Sequence, residues 1–410
     1  MDQLLRSHAD QIIKASITAV LPDEAVKRAL AGQNFPGRVL LVSAGKAAWQ
    51  MAKAAHDFWG DRIENGVVVT KYDHVMGPIA NFACYEAGHP VPDENSFKGT
   101  QAALELVSGL TEQDTVLFLL SGGGSALFEK PLVPGEVLQD VTGQLLACGA
   151  DIVEINTIRK RLSAVKGGRF AQHCAPAQVF SIVLSDILGD PLDMIASGPA
   201  VPDTATKEQA LAIAKKYNLQ LPDDTWQLLE QETPKSLTNV TTRINGSVKE
   251  LCVAAAAACR ELGYEPIMLT DQLCCQAKEA GSFLASVLKT HAGSGKKLAF
   301  LAGGETVVQL TGKGKGGRNQ ELALAAAVGI AGIPGAAVFS VGSDGTDGPT
   351  DAAGGYVDYT TAGELTAQGV EIFDVLKQND AFHALEKVGG LVYTGPTGTN
   401  VNDVAIALLG

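Results

Sequence analysis

The chain has 410 residues, 46% hydrophobic and 19% charged, with 45 glycines and seven cysteines. That is the make-up of a globular protein of two or three domains, and it excludes a disordered chain. A formal net charge of −13 and a pI near 5.0 argue against general nucleic-acid binding.

The N-terminus, MDQLLRSHADQIIKASITAV (1–20), mixes charges among apolar residues at helical spacing. It predicts an amphipathic helix, not a signal peptide. From residue 38 a pattern repeats, in which a short apolar strand ends in a Gly/Ser/Asp loop and a helical stretch follows. It occurs in RVLLVSAGKAAWQMAKAA (38–55), TVLFLLSGGGSALFEK (115–130) and VFSIVLSDILGDP (179–191). It returns in KLAFLAGGE (297–305) and AVFSVGSDGTDG (337–348). Nearly continuous apolar strands alternating with helices predict an α/β fold with a parallel sheet covered on both faces. The polar stretch 202–236 separates an N-terminal set of these units from a C-terminal set, so the domains are expected to span 1–240 and 241–410. The longest apolar run, 322–339, is Ala/Gly-rich and broken by Pro334, and reads as helix, turn and strand rather than a membrane span. An odd number of cysteines without C-x-x-C fits a reducing cytosol better than a disulfide framework or a metal site.

In open α/β sheets, ligands bind beyond the C-terminal ends of the strands, where all of these loops lie. SAGKAA puts Lys46 just past a strand, and lysine is a poor choice at a helix start on dipole grounds. SGGGSA can form a nest of backbone N–H groups for an anion from Ser121, Gly122, Gly123, Gly124 and Ser125. RKRLSAVKGGR (159–169) carries five positive charges and reads as a solvated helix face. SDILGD places Asp186 directly after a strand. In TGKGKGGRNQE (311–321), Gly316 and Gly317 open a helix whose free N–H groups favour an anion, and Lys313, Lys315 and Arg318 add charge. The same loop meets G-x-G-x-x-G literally, but no acid follows at the ribose-binding distance, and the preceding VVQLT alternates like an exposed antiparallel strand. A P-loop is absent, since GSGKKL (293–298) lacks the first glycine and the Ser/Thr. Asp344, Asp347 and Asp351 follow another strand. Strand-end carboxylates with basic, glycine-rich loops are the requirements of a Mg²⁺–nucleotide site, and Asp344 and Asp347 are the metal candidates.

Seven stretches in order carry a family resemblance. They are EAGHPVPDE (86–94), LSGGGSAL (120–127), NTIRKRLSAVKGGR (156–169), LSDILGDPLDMIASGPAVPD (184–203), GGETVVQLTGKGKGGRNQELAL (303–324), GSDGTDGPTDAAG (342–354) and TGPTGTNVNDV (394–404). Together the chain resembles the class II glycerate 2-kinases, whose C-terminal domain is called MOFRL. The resemblance implies a Rossmann-like, mostly parallel N-terminal domain, a smaller mixed α/β C-terminal domain and an active site in the cleft between them. It implies ATP-dependent phosphorylation of D-glycerate on its 2-hydroxyl with a divalent metal such as Mg²⁺, and active-site roles for Lys46 and Arg318. Asp186 is then the carboxylate that receives the hydroxyl proton or holds the metal. The chain departs from the family pattern at Cys275–Gln276 and Asn245–Gly246–Ser247, outside the basic and acidic loops. Small molecules are the expected partners, with neither nucleic acid nor membrane, and a homodimer is left open. Two rivals stand beside this reading: an NAD(P)H-dependent hydroxypyruvate reductase, a name some family members carry, and a non-catalytic sugar-phosphate sensor.

Overall fold

The computed structural model describes residues 1–410. They form two compact units, one of Ala25–Asn245 and one of Gly246–Gly410 joined by Met1–Glu24. The junction lies close to the expected boundary at residue 240, but the N-terminal helix belongs to the other unit. Helix Gln3–Ala19 buries Leu5, Ala9, Ile12, Ile13 and Ile17 and packs on helix Val248–Glu261. The backbone N–H of Asp2 also donates to Asp358 at 2.6 Å. Composition read along the chain cannot register a segment that returns to a distant partner.

The unit Ala25–Asn245 is built on strands β1 (Val39–Ala44), β2 (Ile63–Lys71), β3 (Phe82–Ala87), β4 (Thr115–Leu120), β5 (Gln178–Leu184) and β6 (Val240–Gly246). Their order is β3-β2-β1-β4-β5-β6. β1 pairs in parallel with β2 and β4, β2 with β3, and β4 with β5. Every residue of β1 and β4 is buried. Leu40, Val42, Val116 and Phe118 join the core on one face, and Leu41, Leu117 and Leu119 join the core on the other. A strand buried on both faces needs an unbroken apolar run, which VLLVSA and TVLFLL supply. The chain leaves β1 toward β2 and leaves β4 toward β5, so the order reverses between β1 and β4. Such a switch point opens a crevice at the strand ends.

The second unit carries β7 (Glu265–Leu273), β8 (Leu298–Gly304), β9 (Ala336–Gly342), β10 (Gly354–Asp358), β11 (Leu391–Val392) and β12 (Asp403–Leu409). Their order is β11-β10-β9-β12-β8-β7. Only β7 and β8 pair in parallel, and the other pairs are antiparallel. The last strand, β12, inserts between β8 and β9, so the parallel arrangement read from the strand–loop–helix pattern fails here and a mixed sheet results. VVQLT is not a strand. It makes one isolated bridge, Val307 to Gln276, and leaves Val307 and Leu310 exposed.

Candidate active site

The turns after β1 and β4 are tied together at the switch point. Lys46 N–H donates to the Gly122 carbonyl at 2.8 Å, and Ala47 N–H donates to Ser121 Oγ at 3.0 Å. Gly123 has a φ of +84°, which favours glycine. The Gly122–Gly123 turn is bare because side chains crowd it. A Cβ on Gly122 would lie 2.2 Å from Asp186 Oδ2. One on Gly123 would lie 3.1 Å from His89 Nε2 and 3.2 Å from Lys46 Cγ. No backbone carbonyl accepts from the N–H groups of Gly122, Gly123 and Ser125, while that of Gly124 bonds weakly to the Ser121 carbonyl at 3.4 Å. Buried or half-buried donors need partners, so this turn is suited to an anion.

Lys46 is half-buried, and its ammonium has no hydrogen bond or ion pair within the protein. Asp186 is half-buried directly after β5. His89 was not singled out by the sequence, because one histidine before a proline shows no informative spacing. Its ring also lacks a protein partner. Burial, and then the charges of Lys46 and Lys71, hold its pKa below the usual histidine value.

The turn is supported from behind by the basic run. The Ser125 carbonyl accepts from Lys166 Nζ at 2.8 Å and Arg159 Nη2 at 3.2 Å. Lys166 and Glu129 form an ion pair at 3.3 Å with both side chains fully buried. Burial lowers the Lys166 pKa to about 8. Lys160 Nζ bonds Asp203 at 3.1 Å, and Arg161 lies 3.8 Å from the same carboxylate. The solvated face expected for 159–169 is therefore corrected: its charges fold inward onto Glu129 and Asp203, acids distant in sequence.

In the other unit, a cleft of about 770 Å³ is lined by Val307, Val308 and Leu310, by the glycine loop, and by Arg318 and Asp344. The loop's glycines serve packing first. A Cβ on Gly312 would lie 2.3 Å from the Gln378 carbonyl oxygen, and one on Gly314 would lie 2.4 Å from Asp380 Cβ. Four of the loop N–H groups are also committed. Thr311 and Gly312 donate to Asn379 Oδ1 at 2.7 and 2.9 Å. Gly314 donates to the Gln378 carbonyl and Lys315 to Asp380 Oδ1, both at 2.8 Å.

Helix Arg318–Ile330 already carries an anion at its start. The Asp347 carboxylate accepts from Asn319 N–H at 3.1 Å and Gln320 N–H at 2.9 Å. The free helix terminus expected at Gly316–Gly317 is thus corrected, since Asp347 takes two of the first N–H groups, one on each oxygen. Burial raises the Asp347 pKa to about 7 against these hydrogen bonds. Lys315 Nζ lies 4.1 Å from the Phe382 ring centroid, and Lys313 is exposed. Arg318 has the most elaborate setting. Its Nε and Nη2 grip Asp403 at 2.5 and 3.0 Å, and Nη1 reaches Glu305 at 2.7 Å. Burial opposes its charge, but these two carboxylates hold its pKa above the usual arginine value. Three of its five N–H donors are used, leaving two for a ligand. Asp344 is half-buried with Oδ1 accepting from Thr346 N–H at 3.0 Å. Neither Asp403 nor Glu305 was recognised from sequence as the support of Arg318.

Residues 8–230 match a domain of unknown function (DUF4147), and residues 298–403 match the MOFRL family. The D-glycerate 2-kinase of Thermotoga maritima is 54% identical over 99% of this chain and 98% of its own length. The chain belongs to the glycerate 2-kinase (MOFRL) family. A crystal structure of glycerate kinase from Thermotoga maritima superposes with a TM-score of 0.95 at 52% identity, covering 100% of both chains. A relative from Agrobacterium vitis, 37% identical over 98% of this chain and 93% of its own length, bears the name hydroxypyruvate reductase. No helix of the chain is long and apolar enough to cross a membrane.

Proposed function

We propose that this chain transfers the γ-phosphoryl group of ATP to the 2-hydroxyl of D-glycerate, giving ADP and 2-phospho-D-glycerate. The observation that carries the chemistry is the Gly122–Gly123 turn, with N–H donors that no backbone carbonyl takes and with Lys46 and Asp186 beside it. Phosphoryl transfer asks for positioned positive charge around the phosphate and an acceptor for the hydroxyl proton, with little covalent work by the protein. Lys46 and Arg318 neutralise charge on the transferred group. The turn from Ser121 to Ser125 holds an anion, either a nucleotide phosphate or the carboxylate of glycerate. The choice of glycerate and of its 2-hydroxyl rests on family membership, not on the charges.

The residues present fit a magnesium ion carried largely by phosphate oxygens. No three or more His, Cys, Asp or Glu side chains are grouped to hold an ion by themselves. Mg²⁺ in such sites takes one or two carboxylates plus phosphate oxygens. Asp186 or Asp344, each half-buried, is a carboxylate suited to it. When bound, the ion offsets the charge of the triphosphate.

The reductase reading would use Gly312–Gly317 as a dinucleotide loop. The hydrogen bonds from this loop to Gln378, Asn379 and Asp380 count against that use. The test is ADP release. ADP should form only when ATP, Mg²⁺ and D-glycerate are all present. Oxidation of NADH or NADPH by hydroxypyruvate, without ADP formation from ATP and D-glycerate, would overturn the kinase reading.

A further inference from the structure

A group to which no role has yet been given lies against Gly123 of the Gly122–Gly123 turn. A Cβ on Gly123 would lie 3.0 Å from His89 Cδ2 and 3.1 Å from Nε2. The imidazole therefore lies against the backbone of Gly123, whose N–H donates to no backbone carbonyl. His89 is half-buried, and neither ring nitrogen has a protein partner. Lys46 packs against the same glycine, its Cγ 3.2 Å from the Cβ position. Donors that favour an anion, a cation and an uncommitted imidazole thus converge on one residue.

We infer that this turn binds the carboxylate of the hydroxy acid and that His89 takes the proton of the hydroxyl one carbon away. The inference rests on the kinase reading. The 2-hydroxyl sits on the carbon next to the carboxylate, and the 3-hydroxyl lies one carbon farther out. Anchoring the carboxylate on the N–H groups of Gly122 and Gly123 brings the nearer hydroxyl to a base that covers Gly123. The placement of His89 thereby accounts for the position of phosphorylation, which charge alone does not. In the step, the 2-O–H bond breaks and its oxygen bonds to the γ-phosphorus. The bond from that phosphorus to the β–γ bridging oxygen breaks, and ADP leaves with the electron pair. The proton passes to a ring nitrogen of His89 and then to water. Asp186 is thereby assigned to the metal.

A neutral imidazole is required, and its surroundings favour one. Lys46 and Lys71 disfavour a second positive charge, and burial acts in the same direction. Asp186 lies against Gly122, the neighbouring residue of the turn. Asp93, near Gly88, is engaged by Tyr72 Oη at 2.7 Å and by the N–H groups of Asn95 and Ser96.

The test compares His89→Gln and Asp186→Asn with the wild type, following ADP release with ATP, Mg²⁺ and D-glycerate. Removing a general base costs about 10²–10⁴ in rate. His89→Gln should lose kcat by that factor with the KM for ATP unchanged, the pattern of an interaction made only in the transition state. The acidic limb of the kcat/KM profile, where protonation of His89 stops the wild type, should be missing from the residual activity of His89→Gln and retained in Asp186→Asn. A folded His89→Gln with wild-type kcat, or an acidic limb lost in Asp186→Asn instead, overturns the assignment. If His89→Gln does not fold, NMR of ¹⁵N-histidine-labelled wild-type protein decides: D-glycerate should move the His89 ring signals, and unmoved signals at saturation reject the inference. Wild-type protein that releases no ADP at all would instead reject the kinase reading, so the two failures are distinguishable.

Discussion

Replacing Gly122 with alanine tests whether the turn and Asp186 work as one unit. The new Cβ would lie 2.2 Å from Asp186 Oδ2. That is roughly 1 Å inside van der Waals contact. The turn cannot easily give way, because the Gly122 carbonyl accepts from Lys46 N–H at 2.8 Å. The clash is then relieved mainly by displacing the half-buried Asp186 side chain. The folding cost is then that of a modest overpacking, about 1–3 kcal/mol. The catalytic cost is larger, since a misplacement of about 1 Å at a reacting group can lower the rate by about 10²-fold. Gly143→Ala is the control. Gly143 lies inside helix Gly135–Ala147 and a Cβ there would meet nothing within 4 Å. It should keep full turnover and gain up to about 1 kcal/mol from helix propensity. Coupled ADP release and thermal unfolding followed by circular dichroism measure both effects. A folded Gly122→Ala enzyme with wild-type kcat and KM would refute the idea that this turn and Asp186 form part of the site.

Lys46→Ala and Arg318→Ala should each lower turnover by about 10²–10³. Only Arg318→Ala should also lower the melting temperature, because it strands Asp403, whose side chain is 8% exposed, at a cost of about 3–5 kcal/mol. Equal melting losses in the two variants would contradict this contrast. Lys166→Met should also destabilise, by leaving the buried Glu129 with only Arg159, 3.8 Å away, as its ion-pair partner, and adding Glu129→Gln should restore part of the loss. An additive double variant would contradict the pairing. Asp347 should give a pH dependence of opposite sign to that of most carboxylates. Its folded pKa is about 7 against an ordinary value of 3.8, so between these the native state holds a proton that the unfolded chain has lost. Stability from this group is present at low pH and is lost as pH rises through that window, by at most about 1.4 kcal/mol per pH unit. Asp347→Asn should remove this component from denaturant unfolding measured at pH 5, 6, 7 and 8, and an unchanged pH profile would contradict it.

The parts of the site that were legible in the sequence are those set by local rules. VLLVSA and TVLFLL are apolar throughout, so they read as strands buried on both faces, and the loops that follow them read as the ligand-binding edge. Lys46, Asp186 and SGGGSA were found because they directly follow such strands. The rest depends on contacts between residues far apart in sequence. Gly312 and Gly314 look in sequence like glycines that admit a ligand, yet they admit residues 378–380. Lys160, Arg161 and Lys166 look solvated until Asp203 and Glu129 are placed beside them. Asp347 resembles ordinary Asp-Gly turn chemistry, and its role at the start of helix Arg318–Ile330 appears only when β9 and that helix meet. His89 gave no periodic or spacing signal. Its position over Gly123 comes from the parallel arrangement that brings the β3 and β4 loops to the same edge of the sheet.

The most direct test of the central claim is phosphorus NMR of the product formed from ATP and D-glycerate. ADP should form together with 2-phosphoglycerate as the sole phosphorylated acid. Appearance of 3-phosphoglycerate would leave a kinase but contradict the placement of the hydroxyl beside the carboxylate-binding turn, and the absence of any phosphorylated glycerate would contradict the proposed activity itself.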